Sequence, residues 1–170
     1  GYTLFSPNGD RVTYLIDLDG EVVHTWDSNC GMNATTPYLQ DDGSIIRSCA
    51  SANPELRGGG VGGRIQRIAW DGELLWDYIH SDANNQHHHD IEPMPNGNVL
   101  LISWERKTEE EVERAGRENV AEMWPEGIVE VRPTGREGGE IVWRWGAWDH
   151  LIQDFDPDLE NYGVVADHPE

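Results

Sequence analysis

The sequence predicts an all-β fold made of four-stranded antiparallel β-propeller blades, with about two and a half blades in its 170 residues. Two kinds of β-hairpin alternate along the chain, and the outer hairpins carry a tryptophan near their ends. One unit of two hairpins contains four strands and recurs after roughly fifty residues, which is typical of a propeller blade. A β-sandwich is the alternative all-β fold, but the regular tryptophans favour blades that stack on one another.

The outer hairpins are recognised by Asp-Gly-Glu between two apolar runs, in residues 13–26 and again in residues 64–78. Residues 127–145 form a third copy with a longer turn. Asp-Gly between β-prone runs is the strongest local hairpin signal, because both turn positions must accept positive φ.

The inner hairpins lie in residues 38–47, with Asp42-Gly43 at the turn, and in residues 91–101, with Asn96-Gly97 at the turn. The repeat predicts a single partial propeller domain over residues 1–170, with approximate blades at 1–50, 51–107 and 120–170. Propellers usually close with four or more blades. We therefore expect further blades of the same protein, or other copies in a homo-oligomer, to complete the ring.

One segment departs from the hairpin pattern. Residues 108–119 are highly charged, with Thr108 as a helix cap followed by three glutamates that suit the first turn of a helix. Val112 and Ala115, followed by Gly116, indicate a short solvated helix on one face of the propeller.

Composition narrows the class of partner. The formal net charge of −20 argues against a nucleic-acid backbone or an anionic membrane as partner. The sequence contains no run of 18 apolar residues, which is the length that a membrane-spanning helix requires. Cys30 and Cys49 could close a disulfide in an oxidising compartment, and Asn33 begins a glycosylation sequon. These features predict a secreted protein, extracellular or periplasmic.

Three adjacent imidazoles, His87, His88 and His89, stand directly before a strand–turn–strand signal. Neighbours on an extended backbone point to opposite faces, so at most two of the three can share a site. Histidine can act as base, acid, nucleophile or metal ligand near neutral pH. A loop cluster without function is the alternative. A transition-metal site formed by His87, His89 and Asp90 is less favoured, since catalytic zinc usually draws on separated ligands.

Three motifs together resemble the arylsulfotransferase family, in its secreted, propeller-shaped type that uses no nucleotide sulfate donor. They are the Asp-Gly-Glu hairpins, His88-His89-Asp90-Ile91 with Pro95-Asn96-Gly97-Asn98, and Trp148-Asp149-His150-Leu151-Ile152-Gln153-Asp154. The resemblance runs over essentially the whole chain.

The resemblance implies transfer of a sulfuryl group from a phenolic sulfate donor to a phenol acceptor through a sulfated histidine, with no required cofactor. His89 would be one of the histidines that hold the sulfate, with His88 as the second choice. The family's Trp-x-His-x-Asn-Ser segment, a later arginine and the nucleophilic histidine are expected to follow Glu170. The chain is therefore expected to correspond to the N-terminal part of the family and to be incompetent alone.

A second candidate site lies near the C-terminal end. Asp154, Asp156 and Asp158 alternate as carboxylates do in calcium loops, but the glycine and glutamate of an EF-hand are missing. Calcium is a possible cofactor, and an ordinary acidic loop is the alternative.

This observation supports a rival, non-enzymatic function, in which a structural or binding fragment assembles through exposed strand edges, with calcium. Among the remaining histidines, His24 and His150 are interpreted as structural, although His150 beside Asp149 could instead form an acid–base pair. His80 and His168 are assigned no role.

Overall fold

The computed structural model describes residues 1–31, 36–53, 55–56, 59–60, 62–117 and 121–168. These residues form eleven strands and one short α-helix, α1 (Glu109–Arg114). The strands are β1 (Thr3–Phe5), β2 (Thr13–Ile16), β3 (Val22–Trp26), β4 (Tyr38–Leu39), β5 (Ile45–Ala50), β6 (Gly63–Ile68), β7 (Leu74–Ile79), β8 (Asn85–Pro93), β9 (Val99–Glu105), β10 (Glu126–Pro133) and β11 (Gly139–Gly146).

The strands form three antiparallel sheets, in the orders β1-β2-β3, β4-β5-β6-β7 and β8-β9-β10-β11. The second and third sheets each combine one inner and one outer hairpin, which confirms the predicted four-stranded unit. The sheets span residues 3–26, 38–79 and 85–146, so their limits differ from the approximate blade limits 1–50, 51–107 and 120–170. The difference arises because each inner hairpin pairs with the outer hairpin that follows it.

The outer strand of every sheet carries a β-bulge at the same place. The pairing register shifts opposite Leu15–Ile16 of β2, Arg67–Ile68 of β6 and Glu130–Val131 of β10. At each place the outer strand, β3, β7 or β11, has one extra residue. A bulge bends the strand and increases its twist. The repeat therefore extends beyond the turns to the shape of each sheet.

Tryptophans join successive sheets. The indole N–H of Trp26 donates to the carbonyl of Ala69 at 3.1 Å, and that of Trp76 donates to the carbonyl of Gly138 at 2.8 Å. Each acceptor lies near the outer turn of the next sheet. The predicted stacking role of the hairpin tryptophans is thus seen at both junctions.

Two apolar clusters fill these junctions. Between the first and second sheets lie Leu15, Trp26, Ile45 and Ile68. The larger cluster, between the second and third sheets, contains Ile46, Ile65, Trp76, Ile91, Val99, Leu101, Val129 and Val131. Burying apolar side chains between the sheets is the dominant favourable contribution to stacking.

The far face of the third sheet is open. Trp143 follows the bulge of β11 as Trp76 follows the bulge of β7, yet Trp143 is 49% exposed whereas Trp76 is 4% exposed. Ile141 and Trp145 are also exposed. The third sheet therefore leaves exposed an apolar face whose counterpart on the second sheet includes the buried Trp76.

Two local predictions are confirmed. Helix α1 begins with a capping box, in which Thr108 accepts from the backbone N–H of Glu111 and the Glu111 carboxylate accepts from the backbone N–H of Thr108. Cys30 and Cys49 form a disulfide that ties the segment after the first sheet to β5. No helix among the described residues is long and apolar enough to cross a membrane.

Candidate functional site

The three adjacent histidines lie in an irregular part of β8. His87 pairs with Ser103 of β9 and Ile91 pairs with Leu101, so four steps along β8 match only two along β9. The two extra residues form a bulge, and His89 within it has a φ of +51°. It is the one non-glycine residue with positive φ in the described part of the chain. Such strained backbone is concentrated at functional sites.

The bulge sends the three imidazoles into different environments. His87 is fully buried, and its Nδ1 lies 3.0 Å from the carbonyl oxygen of Ile102. Its Nε2 is buried with no hydrogen-bond partner. Burial lowers the pKa of His87 to about 4. At neutral pH the ring is therefore uncharged, with Nδ1–H donated to the carbonyl, which makes His87 a core histidine.

His88 is held on two sides. Its ring stacks on the indole of Trp104 with centroids 3.8 Å apart. Its Nε2 lies 2.7 Å from Oε2 of Glu126, and the indole N–H of Trp104 donates to Oε1 of the same carboxylate at 3.0 Å. Burial lowers the pKa of His88, although the negative charge of Glu126 acts in the opposite direction. His88 is thus a buried ring with a fixed orientation.

His89 is the exposed member of the cluster. Its Nδ1 lies 2.8 Å from Nδ1 of His88, so the two rings are hydrogen-bonded. Its backbone N–H donates to the carbonyl of Gly60 at 2.7 Å. The bulge thus brings the neighbours His88 and His89 together, although alternation along a regular strand would place them on opposite faces.

Glycines in the segment before β6 make room for these rings. A Cβ on Gly60 would overlap the His89 imidazole, and a Cβ on Gly62 would lie 2.6 Å from Cδ2 of His87. The N–H of Gly62 donates to the carbonyl of His87 at 3.2 Å. Gly60 and Gly62 therefore contribute backbone to the wall of the site, a role that the sequence did not reveal.

Two further residues, Tyr38 and His80, are hydrogen-bonded to residues within or next to the cluster. The hydroxyl of Tyr38 donates to the Asp90 carboxylate, at 3.1 Å from each oxygen. Burial, together with the charge of Asp90, raises the pKa of Tyr38 to about 12. His80 is buried, with Nε2 2.9 Å from Oγ of Ser103. Its backbone carbonyl accepts from the N–H of His87, so His80 holds the backbone of the cluster in place.

The other predicted positions lie apart from this cluster. No group of three or more histidine, cysteine or acidic side chains in the described ranges is arranged to hold a metal ion. Asp154, Asp156 and Asp158 accordingly do not converge, and Asp156 accepts instead from the backbone N–H of Asp158. Calcium binding stays a prediction that this arrangement does not support.

The remaining sequence predictions are placed as follows. His150 stacks on Trp145 with ring centroids 5.1 Å apart, and His24 stacks on Trp70 across the first junction, as expected of structural histidines. The carboxylate of Asp149 lies 3.8 Å from the Arg144 guanidinium. The sequon residue Asn33 lies outside the described residues.

Comparison with known families decides what kind of protein carries this site. The model of the Arylsulfotransferase (ASST) family matches residues 3–164. The chain belongs to the arylsulfotransferase family. A search of curated proteins finds no match. The family match covers all three sheets and the whole histidine cluster, so the resemblance predicted from the motifs is confirmed.

The structure also adds residues to the candidate site of this arylsulfotransferase family member that the sequence did not single out. Trp104 and Glu126 contact His88, and Gly60 contacts His89. Trp104 and Glu126 lie on β9 and β10, on either side of helix α1, so no local spacing connects them to the histidines. Only the pairing of the strands brings them to the site.

Proposed function

We propose that this chain supplies sulfate-binding histidines for the transfer of a sulfuryl group between phenolic compounds. The observation that carries the proposal is the His88–His89 pair, an exposed imidazole bonded to a buried one within the family match. Family membership supports phenolic sulfates as the substrate class.

Sulfuryl transfer requires hydrogen-bond donors around the sulfuryl oxygens. The donor's sulfur–oxygen bond breaks as a bond from the nucleophilic nitrogen to sulfur forms, and the departing phenolate takes up a proton. The acceptor oxygen then attacks sulfur, the nitrogen–sulfur bond breaks, and the acceptor loses its proton. Preorganised N–H donors stabilise the charge on the sulfuryl oxygens in both steps. We assign contact with the sulfuryl group to His89, which donates Nε2–H to a sulfuryl oxygen when its ring is protonated, with His88 behind it, and the nucleophilic role to neither.

The disulfide supports a proposal about the compartment. Cys30 and Cys49 are both buried and bonded to each other, and such bonds persist where the environment is oxidising. We propose that the protein acts outside the cytoplasm, in the periplasm or the extracellular medium, where it meets phenolic sulfates directly.

A binding measurement tests the function without requiring turnover. We expect 4-nitrophenyl sulfate to shift the imidazole NMR signals of His88 and His89, because the exposed ring contacts the sulfate. His89→Ala should weaken binding at least tenfold, about 1.4 kcal/mol. His168→Ala, which removes an exposed histidine of the C-terminal segment, should bind as the unchanged protein does. Equal affinity of the His89→Ala variant would contradict the proposal, whatever its activity.

A second candidate function is assembly, which the open face of the third sheet favours. Ile141, Trp143 and Trp145 are exposed on β11, where the corresponding face of the second sheet is covered. Exposed apolar patches of this kind mark interaction sites. In this function the chain is a binding module that stacks on another sheet, with or without calcium.

Sedimentation velocity separates the two candidates. Assembly predicts a concentration-dependent oligomer that Trp143→Lys disrupts, whereas Tyr162→Lys, at an exposed position outside the sheets, leaves it intact. Added calcium tests the cation requirement in the same experiment. A monomer at all concentrations, with and without calcium, would exclude assembly and leave the sulfuryl-transfer proposal standing.

A further inference from the structure

Glu126 brings a carboxylate into contact with the histidine cluster, and neither the motifs nor the family match assigns it a role. Its carboxylate accepts from Trp104 through Oε1 and contacts His88 through Oε2. We propose that Glu126 is a positioning residue, which acts through His88 to decide which ring nitrogen of His89 carries the proton. The proposal rests on the proposed function for its role in catalysis, but not for its geometry.

The proton positions follow from donor and acceptor chemistry. An ionised carboxylate can only accept hydrogen bonds, so the proton between Glu126 and His88 belongs to Nε2 of His88. The buried His88 ring is neutral near neutral pH, because burial lowers its pKa. Its Nδ1 is then a lone pair. The 2.8 Å contact between the two Nδ1 atoms therefore needs a proton from His89.

The consequence is a defined tautomer for the exposed ring. With its proton on Nδ1, the exposed residue His89 carries its lone pair on Nε2, the nitrogen that faces Gly60. In the second transfer that lone pair can take the proton of the acceptor phenol, and the resulting imidazolium can donate Nε2–H to a sulfuryl oxygen and give the proton to the phenolate that departs in the next turnover. The side chain of Glu126 is 55% exposed, and its negative charge contacts His88 through Nε2, whereas His89 contacts His88 through Nδ1.

The surrounding contacts hold the chain of bonds in place. The stacked indole of Trp104 fixes the plane of the His88 ring, and its N–H fixes the carboxylate. The carbonyl of Gly60 holds the backbone of His89 in its positive-φ conformation. Rings locked by neighbours in this way are what a positioned acid–base group requires.

Glu126→Gln provides the test. The indole N–H of Trp104 can only donate, so it requires the carboxamide oxygen. The carboxamide NH₂ then faces His88, whose Nε2 must become the acceptor. His88 moves its proton to Nδ1 and donates it to His89, and the proton of His89 moves to Nε2. Nitrogen-15 NMR of histidine-labelled protein at about pH 8, where imidazoles are neutral, reads both tautomers directly.

We expect His89 to be protonated on Nδ1 in the unchanged protein and on Nε2 in Glu126→Gln. Glu130→Gln is the matched control, since Glu130 lies on the same strand and the same face and accepts from Asn96 and Asn98 instead. Trp104→Phe is the second variant, which keeps a stacked ring and leaves the carboxylate bonded to His88, so the tautomer should stay on Nδ1.

Turnover of 4-nitrophenyl sulfate to a phenol acceptor, where the protein shows it, should fall roughly 100-fold in Glu126→Gln with KM little changed. An unaltered His89 tautomer in Glu126→Gln, or an Nε2 proton in the unchanged protein, would overturn the proposal. A tautomer change in a protein that does not bind phenyl sulfate would support the positioning role and refute the proposed function.

Discussion

Acidification from pH 6.5 to about 4 is expected to lower the free energy of unfolding by about 3 kcal/mol through His87 alone. The folded protein holds His87 neutral with a pKa of about 4, whereas the unfolded chain binds a proton near 6.5. Between these values the unfolded state carries more protons, so stability falls as the pH falls. The contribution is complete above 6.5 and gone below about 4.

Other groups act in distinguishable ways. Burial also lowers the pKa values of His80 and His88, which adds to the loss over the same range. The carboxyl groups of Asp42 and Asp82 have pKa values below their usual 3.8. Their contribution to stability is therefore lost at lower pH, outside the range of the histidines.

Urea unfolding across pH 4–7 measures this effect. In His87→Asn the side-chain amide can still donate to the carbonyl of Ile102, but nothing at that position titrates. The variant should lose about 3 kcal/mol less over the range than the unchanged protein does. His168→Asn is the control and should keep the full pH dependence. A slope in His87→Asn equal to that of the unchanged protein would show that His87 is not the buried neutral group described.

Reduction of the Cys30–Cys49 disulfide is the second large expected effect. The two cysteines are 19 residues apart, and a loop of that length corresponds to about 3 kcal/mol in the chain-entropy description. The bond joins the segment after β3 to β5, next to the first junction between sheets. Its loss frees the unfolded chain and so lowers the unfolding temperature, by roughly 6–12 °C for a chain of this size.

Thermal unfolding with and without reductant tests this expectation. The Cys30→Ala/Cys49→Ala double variant should unfold near the temperature of the reduced protein and should not respond to reductant. If a thiol assay shows complete reduction while the unfolding temperature of the unchanged protein stays the same, the bond does not contribute to stability. The experiment also bears on the compartment, because a protein that depends on this disulfide for stability would be less stable in a reducing compartment.

The hairpins show how far the sequence reaches. Turn chemistry is local, so Asp-Gly at residues 19–20 and 71–72 and Asn96-Gly97 predicted strand pairs that the structure contains. Thr108 was predicted as a helix cap for the same reason, and the structure adds the reciprocal contact of Glu111. The approximate blade limits did not match the sheets, because whether the hairpin at residues 38–47 joins the preceding or the following hairpin depends on pairing between distant strands.

The site divides in the same way. The adjacent histidines and the family motif around them can be recognised from the sequence alone, and they indicated His89 first and His88 second as candidate residues. Which ring is buried, which is open and which carboxylate controls them are set by a two-residue bulge and by strands far apart in sequence.

By itself, then, the sequence determined the all-β repeat and the family and gave His89 and His88 as candidates, since each depends on residues that are neighbours along the chain. The tertiary structure decided the roles of Glu126, Trp104 and Gly60, because burial and hydrogen bonding depend on strand pairing that no local pattern encodes. It also decided that Asp154, Asp156 and Asp158 do not converge, since alternate spacing places carboxylates along the chain but not around a common point.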